Sequence, residues 1–262
     1  KVSRERVGAE VDLILKGGGR VGGIRLIARL GLSDVVFGRD VRWGVEVLGR
    51  LDDVRDGEGD AAVWLAGVLS GAGRREIKGV VMDMLKRPGR EAERAATINE
   101  CAEIFEGVME EGGDEVAADY LSGASGMDSA FSDLRLALAR AVRKGGDDWR
   151  AGFDLSLAVR LAELGQELEG EDQDVVEEEI GAEAMRWSVL HAAASSMGAL
   201  DYTAFRPVLD GGRVKDVLKG LPKGRVFGDV MERQWEFAVR NRGVGEGEVE
   251  EWLREEFPEF VE

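Results

Sequence analysis

Few side chains in this 262-residue sequence are of the kinds that do chemistry, and their spacing narrows that chemistry further. There is one histidine, His191, and one cysteine, Cys101. A single imidazole excludes a His-based metal cluster, and any Ser-His-Asp triad would have to use His191. That residue lies in an apolar helical stretch and reads as a packed position. Cys101 falls on the core face of a helix and reads as a small buried hydrophobe. A lone cysteine excludes an internal disulfide and fits a reducing compartment. Gly17-Gly18-Gly19-Arg20-Val21-Gly22 spells G-x-G-x-x-G. The dinucleotide fingerprint requires a strand before it, so that phosphate meets the following helix's N-terminus. An amphipathic helix precedes it here, so these glycines read as a helix–helix turn. Residues 163–183 hold ten carboxylates and no Lys or Arg. They lack the alternating ligands and turn glycine of a calcium loop and read as a solvated face. Holding Mg²⁺ against a triphosphate takes two or three carboxylates, normally on a sheet with a glycine-rich loop, and no such set is visible.

The cations are more informative. The formal charge of −17 opposes nucleic-acid binding at face value, but it is unevenly spread. Residues 1–29 hold seven basic and three acidic side chains, and residues 213–242 hold eight and four. Two basic ends flank an acidic middle. At the first end Lys1, Arg4, Arg6, Arg25 and Arg29 either face phosphates or form the polar side of helices, with Arg4 and Arg6 pairing to Glu5 and Glu10. At the second, Arg213, Lys215, Lys219, Lys223 and Arg225 surround a turn with one acid among them. A phosphate track and a solvated surface are both open there.

Helices must position these groups. Apolar residues at three- and four-residue spacing run along the chain, and no strand pattern exceeds a few residues. Ser3 is placed to cap a first helix carrying Val7, Val11, Ile14 and Leu15 on one face. Gly17–Gly19 ends it, read as a left-handed helix exit. A second helix carries Ile24, Leu26, Ile27 and Leu30. Later helices carry Trp43, Val47, Leu48 and Leu51; Ile98, Cys101, Ile104, Phe105 and Val108; and Phe131, Leu134, Leu138 and Val142. Trp149, Phe153, Leu157 and Leu161 follow at strict i+4 spacing. Met185, Val189, Leu190, Ala193 and Met197 mark another helix. Phe227, Val230, Met231, Gln234 and Ala238 mark the last strong one. No apolar run approaches the roughly 20 residues of a membrane span. The expected fold class is all-α, an elongated multi-helix array with no substantial sheet. Polar boundaries divide it at 1–51, 52–181 and 182–262.

Two stretches carry a resemblance. VSRERVGAE, a Lys-Gly turn, LI-x-x-LGL and VF, within residues 2–37, resemble the last signature motif of class II tRNA nucleotidyltransferases, the CCA-adding enzymes. FRPVLDGGRVKDVLKGLPKGRVFGDVMERQWEFAVRN resembles the tail element of the eukaryotic, notably fungal, members. The likeness there rests on Leu209, Asp210, Gly211, Gly224, Gly228, Glu236, Phe237, Arg240 and Asn241. DWRAGFDLSLAVRLAEL is similar to a body-domain helix of the family. The family's Pro-Gly-Pro-Trp turn reads Lys223-Gly224-Arg225-Val226 here, and its Gly-Pro turn reads Gly17-Gly18-Gly19. Residues 52–125 match in helical character alone.

The resemblance implies the end of a neck at 1–51, a body at 52–181 and a tail at 182–262. The whole enzyme would add or repair the 3′-terminal CCA of tRNA from CTP and ATP. Its Mg²⁺-binding carboxylates and nucleotide-reading template would lie in an N-terminal catalytic head upstream of residue 1, and the Lys start reads as a trimmed chain. This chain would then bind no cofactor and transfer no nucleotide. Its partners would be that head and the tRNA acceptor and T arms, held largely by shape. Lys1, Arg4, Arg6, Arg213, Lys215, Lys219, Lys223 and Arg225 are the RNA-contacting candidates. The compartment would be intracellular and reducing: mitochondrial, cytosolic or nuclear. Two rival readings are a poly(A) polymerase relative, which shares head and neck, and a non-enzymatic acidic helical scaffold that binds proteins through 163–183.

Overall fold

Ser3 starts the first helix as its type predicts: its hydroxyl accepts from the Arg6 N–H at 3.4 Å. The structure, a computed structural model, describes residues 2–261. The described residues are helices and connecting turns without a strand, so the chain is all-α. Its accessible surface is 13575 Å², against about 11,000 Å² for a compact monomer of this mass, as an elongated array requires.

Helices α1 (Arg4–Lys16) and α2 (Arg20–Arg29) form the predicted hairpin. Its turn differs from expectation. Gly17 is extended, at φ −80° and ψ 155°, and Gly17, Gly18 and Gly19 are not left-handed. The link is only three residues long, so Gly19 must already serve as the N-cap of α2. The left-handed exit falls one helix later, at Gly31 with φ +68°. Leu26 and Leu30, read as apolar-face partners of Ile24 and Ile27, are exposed because α2 is covered on the Arg20–Ile24–Ile27 side alone.

The chain continues through α3 (Ser33–Phe37), α4 (Arg42–Val54), α5 (Ala61–Val68) and α6 (Arg74–Lys78). A π-helical turn (Gly79–Met84) leads into α7 (Gly89–Glu110). Two glycines set how closely these elements meet. A Cβ on Gly8 of α1 would lie 1.7 Å from the Leu85 carbonyl oxygen, and one on Gly44 of α4 would lie 1.9 Å from that of Val68. Backbone therefore touches backbone at both crossings.

After α8 (Gly113–Ser122) and α9 (Asp128–Gly145) comes α10 (Trp149–Glu167), the central rod. Its i+4 stripe predicts one buried face, yet Ala151 to Ser156 are all buried, because α10 packs against α4 and α7 as well as α9 and α11 (Gln173–Ser196). Small residues permit that: a Cβ on Gly152 would lie 2.6 Å from the Cys101 sulfur of α7. Met185 of α11, expected inward, is 65% exposed, since α11 joins the core from Trp187 onward.

One core unites α1–α7 with α10, and a second unites α7–α11. A third joins α12 (Gly211–Val217), α13 (Arg225–Arg240) and α14 (Glu246–Glu256). The 51/52 division thus falls inside α4 and the 181/182 division inside α11. Composition tracks solvent exposure, and both helices turn a polar stretch outward while their other residues pack. Trp235 and Val239 of α13 bridge to Leu136 and Ala139 of α9. Ion pairs from Arg140 to Glu236, Arg143 to Glu232 and Arg240 to Asp133 rim that bridge.

Candidate nucleic-acid interface

Most arginines in the middle of the chain are occupied. Arg94 bridges Asp148 and Asp60, Arg74 holds Glu100 and Glu93, and Arg186 holds Asp114 and Glu183. Arg74, first, and Lys144 pull the Glu100 carboxyl down to about 2. Cations already neutralised this way have little left to offer a phosphate.

At the tail, Asp210 caps α12 by accepting from the Gly212 and Arg213 N–H groups at 2.8 and 2.9 Å. That fixes the direction of the basic segment. Arg213 is drawn off by Glu250, its Nε 2.6 Å from a carboxylate oxygen, which raises the guanidinium and lowers the carboxyl. Lys215 lies over the Phe227 ring at 4.9 Å. Lys219 and Lys223 are exposed and meet no carboxylate among the described residues. Arg225 reaches Asp229 only at 3.9 Å and its side chain is 95% exposed. Lys215, Lys219, Lys223 and Arg225 thus present available charge at the turn between α12 and α13, where Gly224 takes φ +96°.

At the other end, Lys1 lies outside the described residues. Arg4 does not pair with Glu5 or Glu10; it donates to the Val35 carbonyl and ties α1 to α3. Arg6 is exposed without a carboxylate partner among the described residues. The larger basic feature lies one layer over. Arg25, Ala28 and Arg29 of α2 face Arg42, Val45 and Glu46 of α4 across a groove of about 300 Å³. A second hollow of about 540 Å³ continues between α4 and α10, lined by Arg42, Trp43, Glu46, Arg50, Gly165 and Glu169 among others. The two share Arg42 and Glu46, so α4 forms a common wall. Arg25, Arg29 and Arg50 meet no carboxylate among the described residues, while Arg42 is held by Asp40 at 2.6 Å. Arg42, Trp43 and Arg50 of this feature are not among the candidates that the sequence singles out. Arg42 and Arg50 carry only a polar-stripe signal, with Glu46, at i, i+4 and i+8, and Trp43 reads in sequence as part of the apolar face that marks the helix.

The remaining chemistry-bearing residues lie within or beside the helical packing. The Arg150 guanidinium donates to His191 Nε2 at 2.8 Å, and burial and then Arg150 lower the imidazole, keeping it neutral. Burial pushes the Cys101 thiol up to about 12. Glu106, Glu110, Glu163 and Glu183 line a cleft of about 150 Å³ between α7, α10 and α11. Burial, with Glu163, Glu103 and Glu110 adding, pushes the Glu106 carboxyl up to about 7. Among the described residues no group of three or more His, Cys, Asp or Glu side chains is placed to hold a metal ion. Among the described residues no helix is long and apolar enough to cross a membrane.

Comparison of the chain with protein-family models, with curated proteins and with solved structures finds no match.

Proposed function

We propose that this chain is the tRNA-gripping helical part, from the end of the neck through body and tail, of a class II CCA-adding nucleotidyltransferase. The observation that carries the reading is a coincidence of sequence and charge. The two stretches that resemble the family's motifs are also where cations stand without carboxylate partners among the described residues, Arg6 in one and Lys219 and Lys223 in the other. Elsewhere an acidic chain mostly consumes its arginines internally. The RNA-contacting groups are then Arg6, Lys215, Lys219, Lys223 and Arg225, with Lys1 as a further candidate. Arg4 and Arg213 serve the fold through Val35 and Glu250. The parent enzyme would use CTP, ATP and Mg²⁺ in a head domain, and the fourteen α-helices of the described residues would supply RNA affinity without nucleotide transfer.

Filter binding against tRNA tests this. Affinity is expected at low salt, falling steeply as salt rises, because each neutralised phosphate contributes about 0.9 to the logarithmic slope. The triple variant K215Q/K219Q/K223Q is expected to lower that slope by about 2 to 3. Absence of tRNA binding at low salt overturns the reading, and CMP incorporation by the chain alone overturns the assignment of chemistry to another part.

A further inference from the structure

The groove along α4 is unlike the tail turn, because it combines unpaired arginines with an aromatic face. We propose that it binds a single-stranded RNA segment, with phosphates on Arg25, Arg29 and Arg50 and a base stacked on Trp43. The proposal extends the RNA-binding reading above to a separate site with a different form of RNA. Arg25 and Arg29 are one helical turn apart, about 6 Å along the axis of α2. They share their groove with Arg42, which Asp40 already restrains. Arg50 extends the positive wall into the second hollow, where the half-buried Trp43 indole lies. A basic track beside an aromatic platform is how single strands are held without regard to sequence. A duplex hides its base faces and offers an indole nothing to stack on.

Glu46 narrows the ligand further. It lies on the wall common to both hollows, between the two arginine groups. A continuous run of carboxylates, as in an acidic peptide, would be repelled there. A nucleotide strand alternates phosphate with base, so Glu46 can face an exocyclic amine while the arginines face phosphates. Glu169 at the far side acts in the same sense. Nucleic acid is therefore favoured over acidic protein.

The test is fluorescence anisotropy of the full chain with three probes: a labelled mixed-sequence heptanucleotide RNA, a blunt RNA minihelix of acceptor and T arms, and a poly-glutamate peptide. The double variant R25Q/R29Q is expected to weaken the heptanucleotide at least tenfold and to lower its salt slope by about 1.4. Trp43→Ala is expected to cost about tenfold through lost stacking, and Trp43→Phe to restore most of it. Minihelix affinity should change less than twofold in all three variants. Heptanucleotide binding that is indifferent to these changes overturns the groove, while intact minihelix binding leaves the tRNA reading standing. Heptanucleotide binding through the groove without minihelix binding supports the groove and overturns the tRNA reading. Competition by poly-glutamate as strong as by RNA overturns the choice of ligand, and equal losses on both RNAs, or failure of Trp43→Phe to recover, overturn the stacking role.

Discussion

Glu106 faces carboxylates from its own helix, Glu103 and Glu110, and Glu163 from α10, in a cleft that also holds Arg160, Glu183 and Arg186. Its two basic neighbours are engaged elsewhere: Arg160 with Glu163 and Glu167, and Arg186 with Asp114 and Glu183. The folded protein therefore holds the Glu106 proton up to about 7, while the unfolded chain releases it near 4.5. A raised folded value makes its contribution complete below pH 4.5 and lost as pH rises through 7. Glu106→Gln is expected to stabilise the protein at pH 8 by on the order of 2 kcal/mol, discounted for partial exposure, and to leave it nearly unchanged at pH 4.5. Thermal melts at the two pH values check this, and equal shifts at both would contradict it. Glu100 acts with the opposite sign: held down at about 2 by Arg74 and Lys144, it contributes stability above pH 4.5 that acid removes. None of this is readable from the acidic composition, because Glu100, Glu103, Glu106 and Glu110 lie on one helix and the rest arrive from two others.

At the scale of elements, glycines decide what the hydrophobic pattern cannot. Gly8 belongs to the stretch resembling the family motif, and the fold gives it a reason: the backbone of α1 rests on the Leu85 carbonyl. Gly22, in the interior of α2, meets nothing within 4 Å where a Cβ would project. Gly8→Ala is expected to destabilise by about 1–3 kcal/mol or more through overpacking against backbone that has no rotamer to change. Gly22→Ala is expected to stabilise by about 0.5–1 kcal/mol through helix propensity alone. Chemical denaturation of the two single variants checks the contrast in sign. Local spacing marks the helix that holds either glycine, but closeness of approach is a tertiary fact. The same holds for α10, whose stripe implied one buried face and whose small residues admit neighbours nearly all round.

Across the whole molecule, the tail helices have their own core and touch the rest chiefly through Trp235 and Val239 on α9. Arg143 stacks on the Trp235 ring at 3.9 Å while pairing with Glu232, so one residue carries both the apolar and the charged part of the joint. Trp235→Ala is expected to cost about 3–5 kcal/mol and to uncouple the tail. Amide exchange should then quicken in α12–α14 before it quickens in α7 and α10. Trp235→Phe should be mild, because it keeps a ring under Arg143 and removes an indole N–H that has no partner among the described residues. Uniform quickening in Trp235→Ala would mean that the three cores unfold as one.

Periodicity and caps by themselves determined the all-α class, most helix positions and the core faces of α4, α7 and α9, because helical spacing and capping are local properties of the chain. Composition also located the basic ends. Packing alone decided which cations remain available. Arg213 and Arg4 look identical to Lys219 and Arg6 in sequence, and they differ only because Glu250 and Val35 come within reach. The groove of Arg25, Arg29, Trp43 and Arg50 exists because α2 and α10 flank α4, and its α10 wall comes from more than a hundred positions away in sequence. Charge belongs to a residue, but its availability depends on the partners that folding brings to it.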